Sequence, residues 1–279
     1  MRPSQILTSA AILFAALSVP AESQTPAAVP QFTYADLVDL ALAAPVVAHV
    51  EVRDAVRLRA ERAVGVEPGK TRFYVEADVL SLIRGARGLP ARISYLVDLP
   101  NDWRGRPPKL RKETQFILLA TPVAGRPAEL QLIGPDAQLP YSPELADRMR
   151  QVLRQAAQPD APPKITGIGR AFHVPGTLPG ESETQIFLET ADGRPVSLTV
   201  LRRPGQAPRW AVALSEIVDN AARPPEPDTL LWYALACSLP QTLPPDSIAG
   251  TETSQAAAIR ADYQVVLKGL GACVRNRGV

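Results

Sequence analysis

The chain has 279 residues, 46% of them apolar and 21% charged, so neither a disordered nor a membrane-embedded class fits. Its formal charge of +2 is too small for a general nucleic-acid binder. Proline is abundant, at 29 residues, and because it breaks helix interiors and cannot donate to a ladder, short strands, many turns and limited helix are expected.

Residues 1–21 have the layout of a secretory signal. Arg2 precedes an apolar run from Ile6 to Val19, and small residues follow, with cleavage fitting after Ala21 or after Ser23. The run is shorter than the ~20 residues a spanning helix needs. The expected location is periplasmic or secreted, with no membrane span once the signal is removed. Residues 22–32 read as a flexible tether.

Residues 33–158 predict a β-rich domain with flanking helices. Thr33 and Asp36 have capping-box spacing at the start of a helix that ends at Pro45, with Leu37, Leu40, Ala41 and Ala44 on one face. Strands are expected at Val46–Leu58, Arg72–Ile83, Arg92–Leu99, Glu113–Ala120 and Ala128–Ile133. Breaks fall at Pro68-Gly69, Arg87-Gly88-Leu89-Pro90 and Thr121-Pro122. Ser142-Pro143-Glu144 begins a second helix, whose apolar side carries Leu145, Met149, Val152, Leu153 and Ala156.

Residues 159–163 form a linker. From 164 to 222 a small antiparallel β unit is expected, with strands at Ile165–Val174, Gln185–Thr190, Val196–Leu201 and Arg209–Ile217. Asp192-Gly193 signals a tight hairpin with both residues at positive φ. Residues 223–279 predict a helical pair: a short helix capped by Asp228 and stopped by Pro240, and a longer one at Ser254–Leu270. Cys237 and Cys273 are the only cysteines, and in an oxidising compartment they predict a disulfide. An antiparallel hairpin would set Cys273 near the wrong end of the first helix, so the bond requires a crossed pair or an unwound tail after Leu270.

Five strands with a nearby helix resemble an OB-type barrel. Val46-Val47-Ala48-His49-Val50 after Ala43-Ala44-Pro45, and a second strand ending Ile83-Arg84-Gly85, are similar to the netrin-like and metalloproteinase-inhibitor branch. That branch's amino-terminal cysteines are missing, so inhibition by a cysteine-fixed terminus does not carry over. The helix usual between the third and fourth strands of an OB fold is replaced by Asn101–Pro108. The fold class expected is therefore mainly β with some α: an OB-like five-stranded barrel, a second antiparallel sheet and a carboxy-terminal helical pair.

Neither histidine stands in a recognised catalytic or metal pattern. His49 lies among valines, and His173 ends a strand with Glu181 and Glu183 across a turn. No nucleophile elbow, zinc-protease helix motif, phosphate loop or calcium loop occurs, and no cofactor, metal or catalytic residue is assigned. The most distinctive segment is Asn101–Lys112, where Trp103, Arg104, Arg106, Lys109, Arg111 and Lys112 face one acid, Asp102. Guanidinium forks and an indole on a proline-stiffened loop suit an anionic partner. Trp232 and Tyr233 read as core. The expected role is a non-catalytic exported binding or assembly module of the cell envelope, its partner an anionic envelope component or another envelope protein. The alternatives are a hydrolase-like enzyme with a site near His173 and an envelope structural protein.

Overall fold

The computed structural model describes residues 32–86, 88–214 and 223–277. The signal and nearly all of the tether lie outside the described residues, as does the end of the expected strand Arg209–Ile217.

Helix α1 (Tyr34–Ala43) starts as its sequence dictates: the Thr33 hydroxyl accepts from the Asp36 amide and the Asp36 carboxylate accepts from the Thr33 amide. Pro45 follows its end, and the chain enters β1 (Val46–Arg57). β2 (Lys70–Arg84), β3 (Arg92–Pro100), β4 (Gln115–Val123) and β5 (Arg126–Leu132) follow, then the short β6 (Gln138–Pro140). β1 pairs with both β2 and β4, and β3 pairs in parallel with β5 through Ser94 and Tyr95, closing a barrel in the order β1-β2-β3-β5-β4. This is the OB-like barrel the strand pattern implied. β6 extends the sheet beside β4 and has no counterpart among the expected strands.

Alternation places Val46, Ala48, Val50 and Val52 inside the barrel with Phe73, Val75, Ile93, Tyr95 and Leu118. Val47, Ile117 and Leu119 face outward yet are fully buried. Helix α1 and helix α2 (Pro143–Ala156) cover them, with Leu37, Leu40, Met149 and Val152 in the same cluster. The Ser142 hydroxyl caps α2 by accepting from the Leu145 amide.

Thr121-Pro122 does not break β4. Pro122 sits opposite Leu130 beside a register shift, near the strand's end, where a missing N–H costs little. The turn comes at Gly125, which supplies φ +74.

The second sheet runs β10 (Arg209–Ala213), β9 (Val196–Arg202), β8 (Ser182–Thr190), β7 (Ile165–Pro175), all antiparallel. The β8–β9 connection is longer than a two-residue turn. Only Gly193 takes positive φ, while the Asp192 carboxylate binds the Arg194 amide and guanidinium. The hairpin expected here is present, but this side-chain turn closes it in place of the two-residue turn.

One face of this sheet packs on helix α3 (Leu230–Ala236) and helix α4 (Thr253–Leu270), sharing a core with Leu235, Ile259, Tyr263 and Val266. Thr229, not Asp228, caps α3: its hydroxyl accepts from the Trp232 amide. Asp228 instead turns the chain at φ +56 and pairs with Arg148.

Gly271, at φ +73, ends α4, and an unwound tail carries Cys273 to Cys237 at the carboxy-terminal cap of α3. Of the two routes the helix geometry allowed, the tail is the one used. It continues across α1, where Arg275 pairs with Asp39 and the Asn276 and Arg277 amides donate to Asp36.

Candidate functional site

Closing the barrel brings two connections together at one end. These are residues 58–69, between β1 and β2, and residues 101–114, between β3 and β4. The Asn101 amide donates to the Gly69 carbonyl at 2.8 Å, and the Thr71 hydroxyl to Asn101 Oδ1 at 2.7 Å. Arg72 forms a two-bond fork with Asp98, at 2.6 and 2.7 Å, and its Nη1 donates to the Val64 carbonyl. Hydrogen bonding to Asp98 raises the Arg72 pKa and outweighs desolvation, so a fixed charge anchors the first loop.

Within the second loop, Asp102 organises a tight turn. Its Oδ1 accepts from the Arg104 and Arg106 amides, both at 2.9 Å, and its Oδ2 from Arg106 Nε at 3.1 Å. Gly105 supplies the positive φ this turn requires. Trp103 is thrown outward to 85% exposure, and the Arg104 guanidinium lies 4.3 Å from its ring centroid. Lys109, Arg111 and Lys112 are exposed on the return arm, where Lys112 approaches Asp54 at 3.9 Å. All six basic-loop residues therefore stand at one end of the barrel. Arg106 and Lys112 have acidic neighbours, and Arg104 stacks on the indole.

Sequence reasoning missed the other half of this surface. Arg57, at the end of β1, and Arg59 and Arg62, in the first loop, are exposed there together with Val64, which is 80% exposed. Residues 57–70 and 101–113 carry nine basic side chains against four acidic ones. The Arg-x-Arg-x-x-Arg spacing was visible in the chain, but only the pairing of β2 with β1 and β3 sets it at the same end of the barrel as Trp103.

The structure gives His173 a partner other than Glu181 or Glu183. The ring faces α4: Nδ1 lies 2.8 Å from the Thr184 hydroxyl and 3.9 Å from Asp262. Thr184 donates its single proton in a short bond to Asp262, so His173 Nδ1 carries a hydrogen and donates to Thr184. Arg202 Nε completes the group with a 2.6 Å bond to Asp262 Oδ1. Thr184 and Asp262 are fully buried. Threonine, not histidine, is the central member, and its proton is committed to the carboxylate, which is unlike a histidine-activated nucleophile. The Glu181 and Glu183 side chains line a hollow of about 460 Å³ on the sheet's other face with Phe172 and Arg203, and His173 does not reach it.

His49 is buried in the outer wall of the barrel, stacked on Tyr141 with ring centroids 3.7 Å apart and hydrogen-bonded to Gln115. Tyr233 is half-buried, and its hydroxyl donates to Asp39 at 2.5 Å. Burial first, and then that hydrogen bond, push its pKa up to about 12. No group of three or more His, Cys, Asp or Glu suited to a metal ion occurs among the described residues. No helix among the described residues is long and apolar enough to cross a membrane. No protein-family model matches the chain, and no curated protein matches it.

Proposed function

We propose that this chain is an exported binding module that attaches to an anionic membrane surface of the cell envelope through one end of its barrel. The observation that carries the reading is the pairing of exposed apolar tips with basic flanks. Trp103 and Val64 are exposed on two loops tied together at their bases, arginines and lysines flank both along the chain, and Arg104 lies over the Trp103 ring. An anionic bilayer offers headgroups to the cations and an interface that accepts an indole. A polysaccharide has no use for the exposed valine. The Asp102 turn and the Arg72 fork hold the tips in place before binding, which lowers the ordering cost.

Flotation with vesicles of phosphatidylglycerol and phosphatidylcholine tests this. The chain binds the anionic vesicles, and affinity falls with salt because exposed charges are screened over ~10 Å at 0.1 M. Replacing Arg104, Arg106 and Arg111 by serine weakens binding by about two orders of magnitude at low salt, at ~1 kcal/mol per basic residue. Trp103→Ala weakens it further and removes a blue shift in tryptophan emission. Equal binding to zwitterionic vesicles, or no change in the triple variant, overturns the assignment.

A further inference from the structure

At the end of the barrel opposite these loops, the last residues of β2 meet α2 across a groove of about 500 Å³, within the usual size range of small-molecule sites. Its floor is apolar: Ile83 and Leu153 pack against the underlying core, and Leu82 is 38% exposed. Three arginines line it, Arg84, Arg150 and Arg154, and none of its lining residues is acidic.

Each arginine keeps donors available. Arg84 spends Nη1 on the Ala41 carbonyl at 2.8 Å, in the last turn of α1, where a cation suits the helix end. Arg150 spends Nη1 on Asp147 at 2.9 Å, and Arg154 makes no ion pair among the described residues. A guanidinium has five N–H donors, so most of the set remains open to a ligand.

We infer that this groove binds a single-chain anionic amphiphile with a phosphate monoester head. One carboxylate offers two oxygens and is matched by one guanidinium fork. Three arginines around one groove call for a head with more oxygens and more charge. The alkyl chain lies along Leu82, Ile83 and Leu153, removing that apolar surface from water. The site shares no residue with the barrel-end loops and does not rest on the membrane-surface reading.

Isothermal titration of the full chain with dodecyl phosphate, below its micelle concentration, is the test. Saturable binding at one site is expected, with dodecyl maltoside and inorganic phosphate each far weaker. The pair Arg150→Ser and Arg154→Ser reduces affinity by about tenfold or more, the loss of at least one charge-assisted hydrogen bond. Arg84 is left alone because it caps α1. Should that double variant not fold, Leu82→Glu places a carboxylate in the groove without replacing an arginine and abolishes binding. The variant lacking Arg104, Arg106 and Arg111 binds dodecyl phosphate normally, which separates this site from the other. Undiminished binding by the double variant or by Leu82→Glu overturns the inference. So does equal affinity for dodecyl maltoside, which needs no cation, or for inorganic phosphate, which needs no apolar floor.

Discussion

The backbone amide of Asn276 donates to Asp36 Oδ2 at 3.0 Å, joining two residues 240 positions apart. Asp36 is fully buried and also accepts from the Thr33 and Arg277 amides, so one carboxylate caps the first helix and fastens the end of the chain. Burial pushes its pKa up, but the hydrogen bonds from Thr33, Asn276 and Arg277 prevail and the net shift is downward. Because the folded pKa lies below the unfolded value of ~3.9, the stabilisation is complete above that pH and is lost as pH falls through the folded pKa. Asp36→Asn should cost about 1–3 kcal/mol at pH 7, since an amide offers one weaker acceptor and turns a donor toward donors. Urea titrations should show the gap from wild type narrowing below about pH 4.

The Cys237–Cys273 disulfide spans 36 positions and holds the same tail to α3. Replacing both cysteines with serine should cost about 2–4 kcal/mol, chiefly by freeing the unfolded chain. In a chain of this size the melting temperature should fall by roughly 4–16 °C. Reductant should lower wild type to the same point and leave the variant unmoved in calorimetry.

Asp262 is fully buried between Thr184 and Arg202. Asp262→Ala should destabilise by about 2–4 kcal/mol, less than the ~3–5 of a fully buried pair because the Arg202 side chain is 36% exposed and regains water. Thr184→Val should cost about 1–3 kcal/mol. Since both substitutions break one network, the double variant should lose less than the sum of the singles in denaturant titrations. Strict additivity would mean the His173–Thr184–Asp262 chain is not energetically connected.

Gly269 sits in the last turn of α4 against the indole of Trp210, which is only 8% exposed. A methyl group there would stand 3.0 Å from Trp210 Cε2 and closer still to Nε1. Alanine normally favours an open helix by ~1 kcal/mol over glycine. Here overpacking of ~1–3 kcal/mol reverses that sign, and Gly269→Ala should lose about 1 kcal/mol in thermal denaturation.

By itself the sequence determined what depends on neighbours within a few residues. Thr33 with Asp36 and Ser142 with Pro143 mark helix starts, and alternating valines mark β1, because caps and strand periodicity are local. Two cysteines sufficed for the disulfide, while its route, a crossed pair or an unwound tail, was left for the packing of α3 and α4 to choose. Local signals failed where a distant contact outbid them. Pro122 stays in a strand because Leu130 pairs with it, and Asp228 leaves its cap to Thr229 and turns toward Arg148.

Only the tertiary structure decided the sites. Half of the barrel-end surface, Arg57 to Val64, became visible when β2 paired with both β1 and β3 and set the two connections at one end. His173 found Asp262 instead of the nearby Glu183 because strand alternation turns its ring toward α4 and the Glu183 side chain toward the opposite face, while Glu181 lies in the turn before β8. Arg84 and Arg154 are 70 positions apart and share a groove only because α2 packs over the end of β2. Such pairings follow from register and closure, which the whole chain sets together, and no window of sequence contains them.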